Sequence, residues 1–350
     1  MTGSERRSIH FECKKAERLH GTLHGNAVGV AVRGMEHDVA GACSAAAQKG
    51  ALIKAGGVDL ADRLKERIDE PDTLVNILNL KELSFLTSMD KEGLSIGPLV
   101  TLARLSSDDS VRRSARALGE AAGAAATPQI RNMATLGGNL AQRPRCWYFR
   151  NELFHCRKKG GDRCFAIEGE HEFHSIFQND VCAAVHPSAT AVALVALDAN
   201  VKLRGIATER TLPIEQLFVS AKSDPTRENV LQPGELIVEV RVPAGRRSAY
   251  SKLMQKQSFD WPLVEVAVAL AMDGEAVQDA RVVLGSVAPT PWRARDAEAA
   301  LKGKPLTAEI AEEAARAATE GATPLPRNAY KLPLVQTVVR RTLLAAKEGA

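Results

Sequence analysis

The sequence lacks the features of several protein classes. Aromatic residues make up 4% of its 350 residues, so few rings are available to stack on nucleic-acid bases. No stretch reaches the roughly 18 apolar residues that a membrane-spanning helix needs. Its 46 basic and 42 acidic residues nearly cancel, and the net charge of +4 is too weak to indicate nucleic acid. We therefore expect neither a nucleic-acid partner nor a membrane span.

An apolar secretory segment is also missing from the first residues. Arg6 and Arg7 could open a twin-arginine export signal, but charged residues follow where such a signal is apolar. We predict a cytoplasmic protein, or a periplasmic one if it is exported with a partner subunit that carries the signal. Residues 1–36 are basic and weakly periodic, which predicts a loosely ordered extension.

The order of predicted elements indicates an α+β fold. Residues 37–245 open with a small β-α-β-like unit. They continue with a helical period over 101–123 and a loop over Thr127–Asn139, and they end in strands. Residues 246–350 read as three strands followed by two or three helices, which is typical of a separate α+β domain.

Two glycine pairs are candidate ligand-binding loops. A predicted strand runs into Gly56-Gly57, and successive glycines let backbone N–H groups approach an anion. Gly137-Gly138 lies in a segment where Thr135 and Asn139 could hydrogen-bond a phosphate or a ribityl hydroxyl. Each pair alone is also typical of an ordinary turn. Neither matches the Gly-x-Gly-x-x-Gly pattern of Rossmann sites, and together they fit one large ligand better than either does alone.

Four of the six cysteines cluster within 37 residues, namely Cys146, Cys156, Cys164 and Cys182. Four thiolates satisfy the ligand number of a tetrathiolate metal site, although no pair has Cys-x-x-Cys spacing. The residues themselves leave an iron–sulfur cluster, zinc and uncoordinated thiols as alternatives. Seven nearby basic residues would offset thiolate charge or attract an acidic redox protein, or would simply belong to a solvated loop. These are Arg143, Arg145, Arg150, Arg157, Lys158, Lys159 and Arg163.

Several of these motifs resemble the FAD-binding (medium) subunit of molybdenum hydroxylases. The resemblance rests on Ala55-Gly-Gly-Val-Asp-Leu60 and Gln129-Ile-Arg-Asn-Met-Ala-Thr-Leu-Gly-Gly-Asn139, and also on Gly234-Glu-Leu-Ile237 and Val287-Ala-Pro-Thr-Pro-Trp-Arg293. The cysteine-rich insertion, residues 143–184, is similar to the 4Fe–4S loop of 4-hydroxybenzoyl-CoA reductase. It is more similar to that of the bacterial periplasmic aldehyde oxidoreductase. The resemblance therefore favours an iron–sulfur cluster over zinc.

The resemblance implies a two-part FAD-binding domain of the vanillyl-alcohol-oxidase-like (PCMH) type, residues 37–245. It implies a C-terminal α+β domain with a three-stranded sheet over residues 246–350. Three positions depart from the family's pattern: Val58, Ala189 and Lys256 stand where Thr, Asp and Arg are usual. The implied FAD contacts are Lys54, Ala55, Gly56, Gly57, Val58, Asp59, Leu60, Thr135, Gly137, Gly138, Asn139, Gln142, His186, Ser188 and Lys256, and the implied cluster ligands are Cys146, Cys156, Cys164 and Cys182.

The implied function is electron transfer, and no residue of this chain is assigned a catalytic role on a substrate. A molybdopterin-bearing large subunit would oxidise an aldehyde or a heteroaromatic compound. The 2Fe–2S clusters of a small subunit would pass the electrons to FAD here, in a heterotrimer or a dimer of it. The external acceptor would be ferredoxin, a quinone or NAD. The alternatives are the flavin subunit of a 4-hydroxybenzoyl-CoA reductase-like enzyme, and a non-catalytic interaction subunit whose four cysteines bind structural zinc.

Overall fold

The computed structural model describes residues 37–348 throughout and, before them, two strand segments at residues 23–24 and 31–33. Most of the extension predicted for residues 1–36 therefore lies outside the described residues. The described chain contains three β-sheets, and mixed helix and sheet of the predicted α+β kind surround its buried cores.

The first sheet is small and mostly parallel. Its elements are β1 (Leu23–His24), β2 (Ala31–Arg33), α1 (Val39–Ala46), β3 (Ala51–Lys54), α2 (Val58–Lys65) and β4 (Thr73–Asn76). The strand order is β1-β2-β4-β3, and both β2 and β3 run parallel to β4. Helix α2 begins directly after Gly57, whose φ of 75° is cheap only for glycine. The predicted β-α-β unit is confirmed in β3, α2 and β4.

The second sheet is antiparallel and has five strands. These strands are β5 (Leu86–Ser88), β6 (Leu94–Ile96), β7 (Asn200–Arg204), β8 (Glu209–Pro213) and β9 (Leu236–Val242), in the order β5-β6-β9-β7-β8. The helices of this region are α3 (Leu102–Ser107), α4 (Asp109–Ser114), α5 (Arg116–Ala124), α6 (Pro128–Met133), α7 (Leu136–Leu140), α8 (Phe165–Glu168) and α9 (Ala189–Ala196).

Two predictions for this region are wrong. The helical period over 101–123 forms three helices, because Asp108 is extended and its carboxylate caps the start of α4. The segment Thr127–Asn139 is not a loop, since it contains α6 and α7. Thr127 and Thr135 each begin a helix by accepting a hydrogen bond from the N–H group three residues later. The abundance of Thr and Asn reflected helix caps as well as turns.

The third sheet forms the C-terminal part with strands β10 (Arg247–Met254), β11 (Pro262–Asp273), β12 (Ala276–Gly285) and β13 (Trp292–Arg293) and helices α10 (Arg295–Leu301), α11 (Ala308–Ala317) and α12 (Lys331–Glu348). The prediction of three strands is corrected to four, because Trp292–Arg293 pairs with β12. The three helices agree with the predicted two or three. Along β11, Val266 and Val268 pack into the core under α10–α12, whereas Ala267 and Ala269 face the core of the FAD-binding part.

Helix α9 joins the two parts. All of its residues from Ala189 to Ala196 are buried, and it packs against α5, β11 and β12. Its many alanines present little bulk, so the helix and the third sheet can approach closely. Ala189, its first residue, reaches the rim of the cavity described next.

Candidate functional site

A wide cavity lies between the glycine loops and the third sheet, and we name it the interdomain cavity. It encloses about 1420 Å³ of atom-free space, part of it open to solvent. The space in it that the centre of a water molecule can reach is about 340 Å³, which lies within the roughly 300–1,000 Å³ of small-molecule and cofactor sites. Its walls are residues 53–60, Asp62, Arg63, Leu102, 125–127, Ile130, Ala134, Thr135, Gly138, Asn139, Ala141, Gln142, Arg145, Pro187, Ala189, Lys252, 259–262 and Glu265.

Most of the sequence-predicted site residues lie in these walls. They are Lys54, Ala55, Gly56, Gly57, Val58, Asp59, Leu60, Thr135, Gly138, Asn139 and Gln142. The other four, Gly137, His186, Ser188 and Lys256, lie outside them. The structure thus brings together two motifs that stand about 80 residues apart in the sequence.

The two glycine loops pack on each other and on their surroundings through the backbone. A Cβ added to Gly56 would lie 1.9 Å from the carbonyl oxygen of Met133, and one added to Gly137 would lie 2.8 Å from Cβ of Pro98. These two glycines are therefore required by packing. A Cβ on Gly138 would meet only the hydroxyl of Thr135, at 3.0 Å, so this glycine leaves space on the cavity side.

Asn139 is held in place by hydrogen bonds from two hydroxyl groups. Its Oδ1 accepts hydrogen bonds from the hydroxyl of Ser188 at 2.7 Å and from that of Thr190 at 2.6 Å. The Ser188 hydroxyl also caps α9 by accepting from Ala191 N–H. Ser188 therefore acts on the cavity through Asn139, which leaves the Asn139 NH₂ group as the donor available to a ligand.

His186 is a buried neutral side chain. Its Nδ1 accepts from the N–H of Ser188 at 3.3 Å, and its ring packs edge-on against Phe218 at 4.7 Å. Burial, with a smaller effect of Lys158, lowers the pKa of His186 to about 3. Lys256 is exposed, and its backbone N–H donates to Asp260. Lys252 lines the cavity and donates to Ala124 O at 3.0 Å, whereas Lys256 does not line it.

Asp59 is saturated by arginines. Its Oδ1 lies 2.6 Å from Nη2 of Arg150 and 3.1 Å from Nη2 of Arg145. Its Oδ2 lies 3.1 Å from Nε of Arg63 and accepts from the backbone N–H of Arg143. Burial raises the pKa of Asp59, but Arg150, Arg145 and Arg63 more than offset this and hold it below the ordinary value.

A buried carboxyl group lies at the C-terminal side of the cavity. Glu265, on β11, has no exposed surface and accepts hydrogen bonds from the hydroxyls of Tyr250 and Ser286. Burial raises the pKa of Glu265 above that of an ordinary carboxyl. Behind it, the buried ammonium of Lys331 donates to Ser286 O at 2.7 Å and to Phe173 O at 2.9 Å, which ties the insertion to the C-terminal part.

The four clustered cysteines line one small second cavity, which we name the cysteine cavity. Cys146, Cys156, Cys164 and Cys182 share its walls with residues that include Phe149, Lys158 and Phe165. Nε2 of His174 lies 3.2 Å from Sγ of Cys146. A hydrogen bond from the thiol of Cys182 lowers the pKa of Cys164 to about 6, which favours a thiolate there. Within residues 37–348 no three His, Cys, Asp or Glu side chains converge tightly enough to hold a single metal ion.

Four of the seven basic residues of the insertion are ion-paired with acids elsewhere in the chain, so the solvated-loop alternative does not describe them. Arg143 binds Glu228 through two hydrogen bonds of 3.0 and 3.1 Å, and Lys158 binds the same carboxylate at 3.1 Å. Arg145 and Arg150 bind acids of α2 and the residue after it. Arg157, Lys159 and Arg163 remain as the more peripheral basic groups. The sequence showed the charges of this segment but not the distant acids that pair with them.

Three features of the interdomain cavity were not predicted from the sequence. Arg145 lines it, as do the half-exposed rings of Phe259 and Trp261, and Glu265 reaches it from a core strand. Glu265 did carry a signal, because a carboxylate between valines in an apolar strand is rarely buried without a purpose. Arg145 carried none, since its place in the wall depends on the fold of the insertion.

The comparisons with known proteins agree with this architecture. Residues 36–245 match the family described as FAD binding domain in molybdopterin dehydrogenase, and residues 248–346 match the CO dehydrogenase flavoprotein C-terminal domain. The aldehyde oxidoreductase FAD-binding subunit PaoB of Escherichia coli is 35% identical over 88% of this chain and 95% of its own length. The carbon monoxide dehydrogenase medium chain of Hydrogenophaga pseudoflava is 30% identical over 85% and 89%.

A solved structure shows the same fold. The carbon monoxide dehydrogenase of Hydrogenophaga pseudoflava that lacks the Mo-pyranopterin moiety superposes with a TM-score of 0.69 at 29% identity, covering 90% of this chain and 97% of that one. Fold and cavity thus define a flavoprotein. The chain belongs to the FAD-binding medium-subunit family of the molybdenum hydroxylases, whose members are subunits of oxidoreductases. No helix among the described residues is long and apolar enough to cross a membrane.

Proposed function

We propose that this chain is the electron-transfer subunit of a three-subunit molybdenum hydroxylase. It binds FAD in the interdomain cavity and a 4Fe–4S cluster in the cysteine cavity. The observation that carries the proposal is the interdomain cavity itself, because both glycine loops and the C-terminal sheet line it together. The small parallel sheet beside the larger antiparallel one supports the two-part PCMH-type description of the FAD-binding domain.

Bound FAD supplies a centre that accepts and releases electrons singly or in pairs. The residues of this chain bind and orient it. Gly57 and Gly138 provide space against the backbone, and Asn139 provides an oriented amide donor. Lys54 and Lys252 place ammonium groups in the walls, where they attract the negative charges of a diphosphate.

The resemblance of the insertion to 4Fe–4S loops is what favours an iron–sulfur cluster over zinc. Both centres take cysteine thiolates as ligands, so the residue types alone do not separate them. The four thiols line one small cavity, which supports a shared ligand for them. Lys158 in the same walls would offset part of the negative charge of cysteine thiolates.

The relatives give the proposal its partners and substrate. Two are named as a FAD-binding subunit and a medium chain, so we propose a 2Fe–2S small subunit and a molybdopterin large subunit beside this chain. The name of the 35%-identical relative favours an aldehyde as the substrate of the complex. The external acceptor is a ferredoxin, a quinone or NAD.

The flavin assignment is tested by the variant Gly138→Val in the full chain. The valine side chain would fill ligand space, so we expect a folded protein that purifies without FAD. Gly123→Val is the matched control: this helical glycine lies outside the cavity walls and should leave the flavin content unchanged. Stoichiometric flavin in the Gly138 variant would contradict the placement. The measurement is flavin absorbance per chain.

The cluster assignment is tested by Cys164→Ser. We expect loss of iron, acid-labile sulfide and broad visible absorbance, since serine is a poor replacement for a thiolate ligand. Cys43→Ser, a buried cysteine of α1 outside the cysteine cavity, should keep them. Stoichiometric zinc without iron in the wild-type chain would favour the structural-zinc alternative.

A further inference from the structure

The insertion supplies part of the wall of the interdomain cavity. Arg145 directly precedes Cys146, and its guanidinium lies 3.1 Å from Asp59 and 3.1 Å from Asp62. The same guanidinium lies 5.2 Å from the ring of Trp261, which belongs to the C-terminal part. Its buried Nε has no hydrogen-bond partner within the described residues. One side chain of the insertion therefore touches α2, the C-terminal part and the cavity.

Arg150 fixes the same carboxylate from the interior of the insertion. Its side chain is 8% exposed, and its Nη2 lies 2.6 Å from Asp59 Oδ1. The same Nη2 also donates to the carbonyl oxygen of Arg143 at 3.0 Å, and Nε donates to that of Pro144 at 2.8 Å. Its backbone N–H donates to Cys146 O at 2.9 Å. A planar guanidinium with this many fixed acceptors has little freedom, so it holds Asp59 in one place.

Asp59 transmits this constraint to the first glycine loop. It is the second residue of α2 and follows Gly57 by two positions. Because both of its oxygens are occupied by arginine side chains or backbone, it holds the loop rather than a ligand. Arg145 and Arg150, which flank or follow the first of the clustered cysteines, thus hold the residue two positions after Gly57.

We propose that Arg145 and Arg150 are FAD-positioning residues contributed by the cysteine-rich insertion. Through Asp59 they hold the first glycine loop in the form that binds the diphosphate-linked half of FAD. This inference rests on the proposed function, because it requires FAD in the interdomain cavity. FMN lacks the second phosphate and the adenosine, so the insertion should matter for FAD and hardly at all for FMN.

The test is flavin-fluorescence titration of the flavin-free full chain with FAD and, separately, with FMN. Arg150→Met and Asp59→Asn should each weaken FAD binding about tenfold or more, which is within the usual range of coupling between sites. FMN binding should change less than about twofold, since only the FAD-specific half is affected. The double variant should bind FAD no more weakly than the weaker-binding single variant, because both substitutions remove the same Arg150–Asp59 interaction. Arg163→Met is the matched control: its guanidinium stacks on Phe165 at 4.5 Å in the same insertion.

Three results overturn the inference: an unchanged FAD affinity, an equal loss for FAD and FMN, or additive effects in the double variant. If Arg150→Met fails to fold, Arg150→Lys decides the question. It keeps the charge but loses the fork, so it should weaken FAD selectively and less strongly. A wild-type chain that binds FAD no better than FMN contradicts the proposed function instead, because the cavity would then not hold the second half of the dinucleotide.

Discussion

The cysteine-rich insertion and the C-terminal part are stabilised by opposite means. The C-terminal sheet buries a continuous apolar core with residues such as Val266, Val282 and Leu284 between strands and helices. Around the cysteines, one small buried cluster contains Cys182, Ala184 and Ala221, while Ile176 and Phe177 of the insertion join the C-terminal core. Buried ion pairs, carbonyl contacts and small aromatic contacts support the insertion instead.

This difference shows which interactions keep each region folded. Hydrophobic burial is non-directional and cooperative, so the C-terminal part should unfold as one unit. Ion pairs hold only in one geometry and lose much of their value once a partner is missing. The insertion should therefore open locally, and its order should depend on its partners in α2, on Glu228 and on the ligand of the cysteine cavity.

The largest expected effect lies in the C-terminal core. Leu284→Ala should lower the free energy of unfolding by about 2–5 kcal/mol, because it leaves a cavity in a fully packed interior. Urea denaturation measures this, and the loss should appear equally in every probe of the C-terminal part. Ile206→Ala, at a 64% exposed position, should stay within about 0.5 kcal/mol. A similar loss in both variants would contradict the contrast.

A smaller and local effect is expected from Arg143→Met. The variant removes two hydrogen bonds to Glu228 and should cost about 1.5–3 kcal/mol of local stability. Hydrogen–deuterium exchange should speed up across residues 143–184 and stay unchanged in β11 and β12. Lys159→Met, whose exposed ammonium donates to Asn151 O, is the control within the insertion. Faster exchange in the sheet as well would argue for one cooperative unit.

The connection between the two regions predicts a pH dependence. Burial lowers the pKa of Lys331 to about 7, against the weaker opposing effect of Glu265. An unfolded lysine keeps its proton up to about pH 10.4, so between pH 7 and 10 the unfolded chain binds more protons. This contribution makes the free energy of unfolding rise with pH, by at most about 1.4 kcal/mol per pH unit for one proton.

The check is the pH profile of urea midpoints for the wild type and for Lys331→Met. Relative to the wild type, the variant should lose that rise between pH 7 and 10. Lys304→Met, which removes an exposed partner of Glu313, should keep it. Parallel profiles for the wild type and Lys331→Met would show that the folded chain binds the proton as tightly as the unfolded one.

The smallest effect is expected where the two regions meet at the surface. Arg327 pairs with Glu170 and Glu172 of the insertion, but its side chain is exposed, and such pairs contribute little in water. Arg327→Met should leave the thermal midpoint of unfolding unchanged within error at low and high salt. A clear loss at low salt would show that exposed ion pairs also hold the insertion.

The sequence alone predicted many of the elements and 11 of the 30 residues that line the interdomain cavity. Caps, glycine turns and apolar periodicity are local signals, so the β-α-β unit of β3, α2 and β4 and the helices after the C-terminal strands agree with the prediction. The extra strand Trp292–Arg293 has no such signal, because two residues show no period and their pairing with β12 is decided by distant contacts. The break at Asp108 was readable in principle, since Asp is a common helix cap.

What the sequence determined by itself is therefore the chemistry available: two glycine pairs, four clustered thiols and a family pattern of motifs. What only the tertiary structure decided is which groups meet. It turned Gly56 and Gly137 into packing residues, surrounded Asp59 with arginines from an insertion about 85–90 residues away, and set the insertion's Arg145 in the cavity wall. The physical reason is how far apart in the sequence the interacting groups can be. Backbone propensities act over a few residues, whereas ion pairing and burial join groups that are close only once the chain has folded.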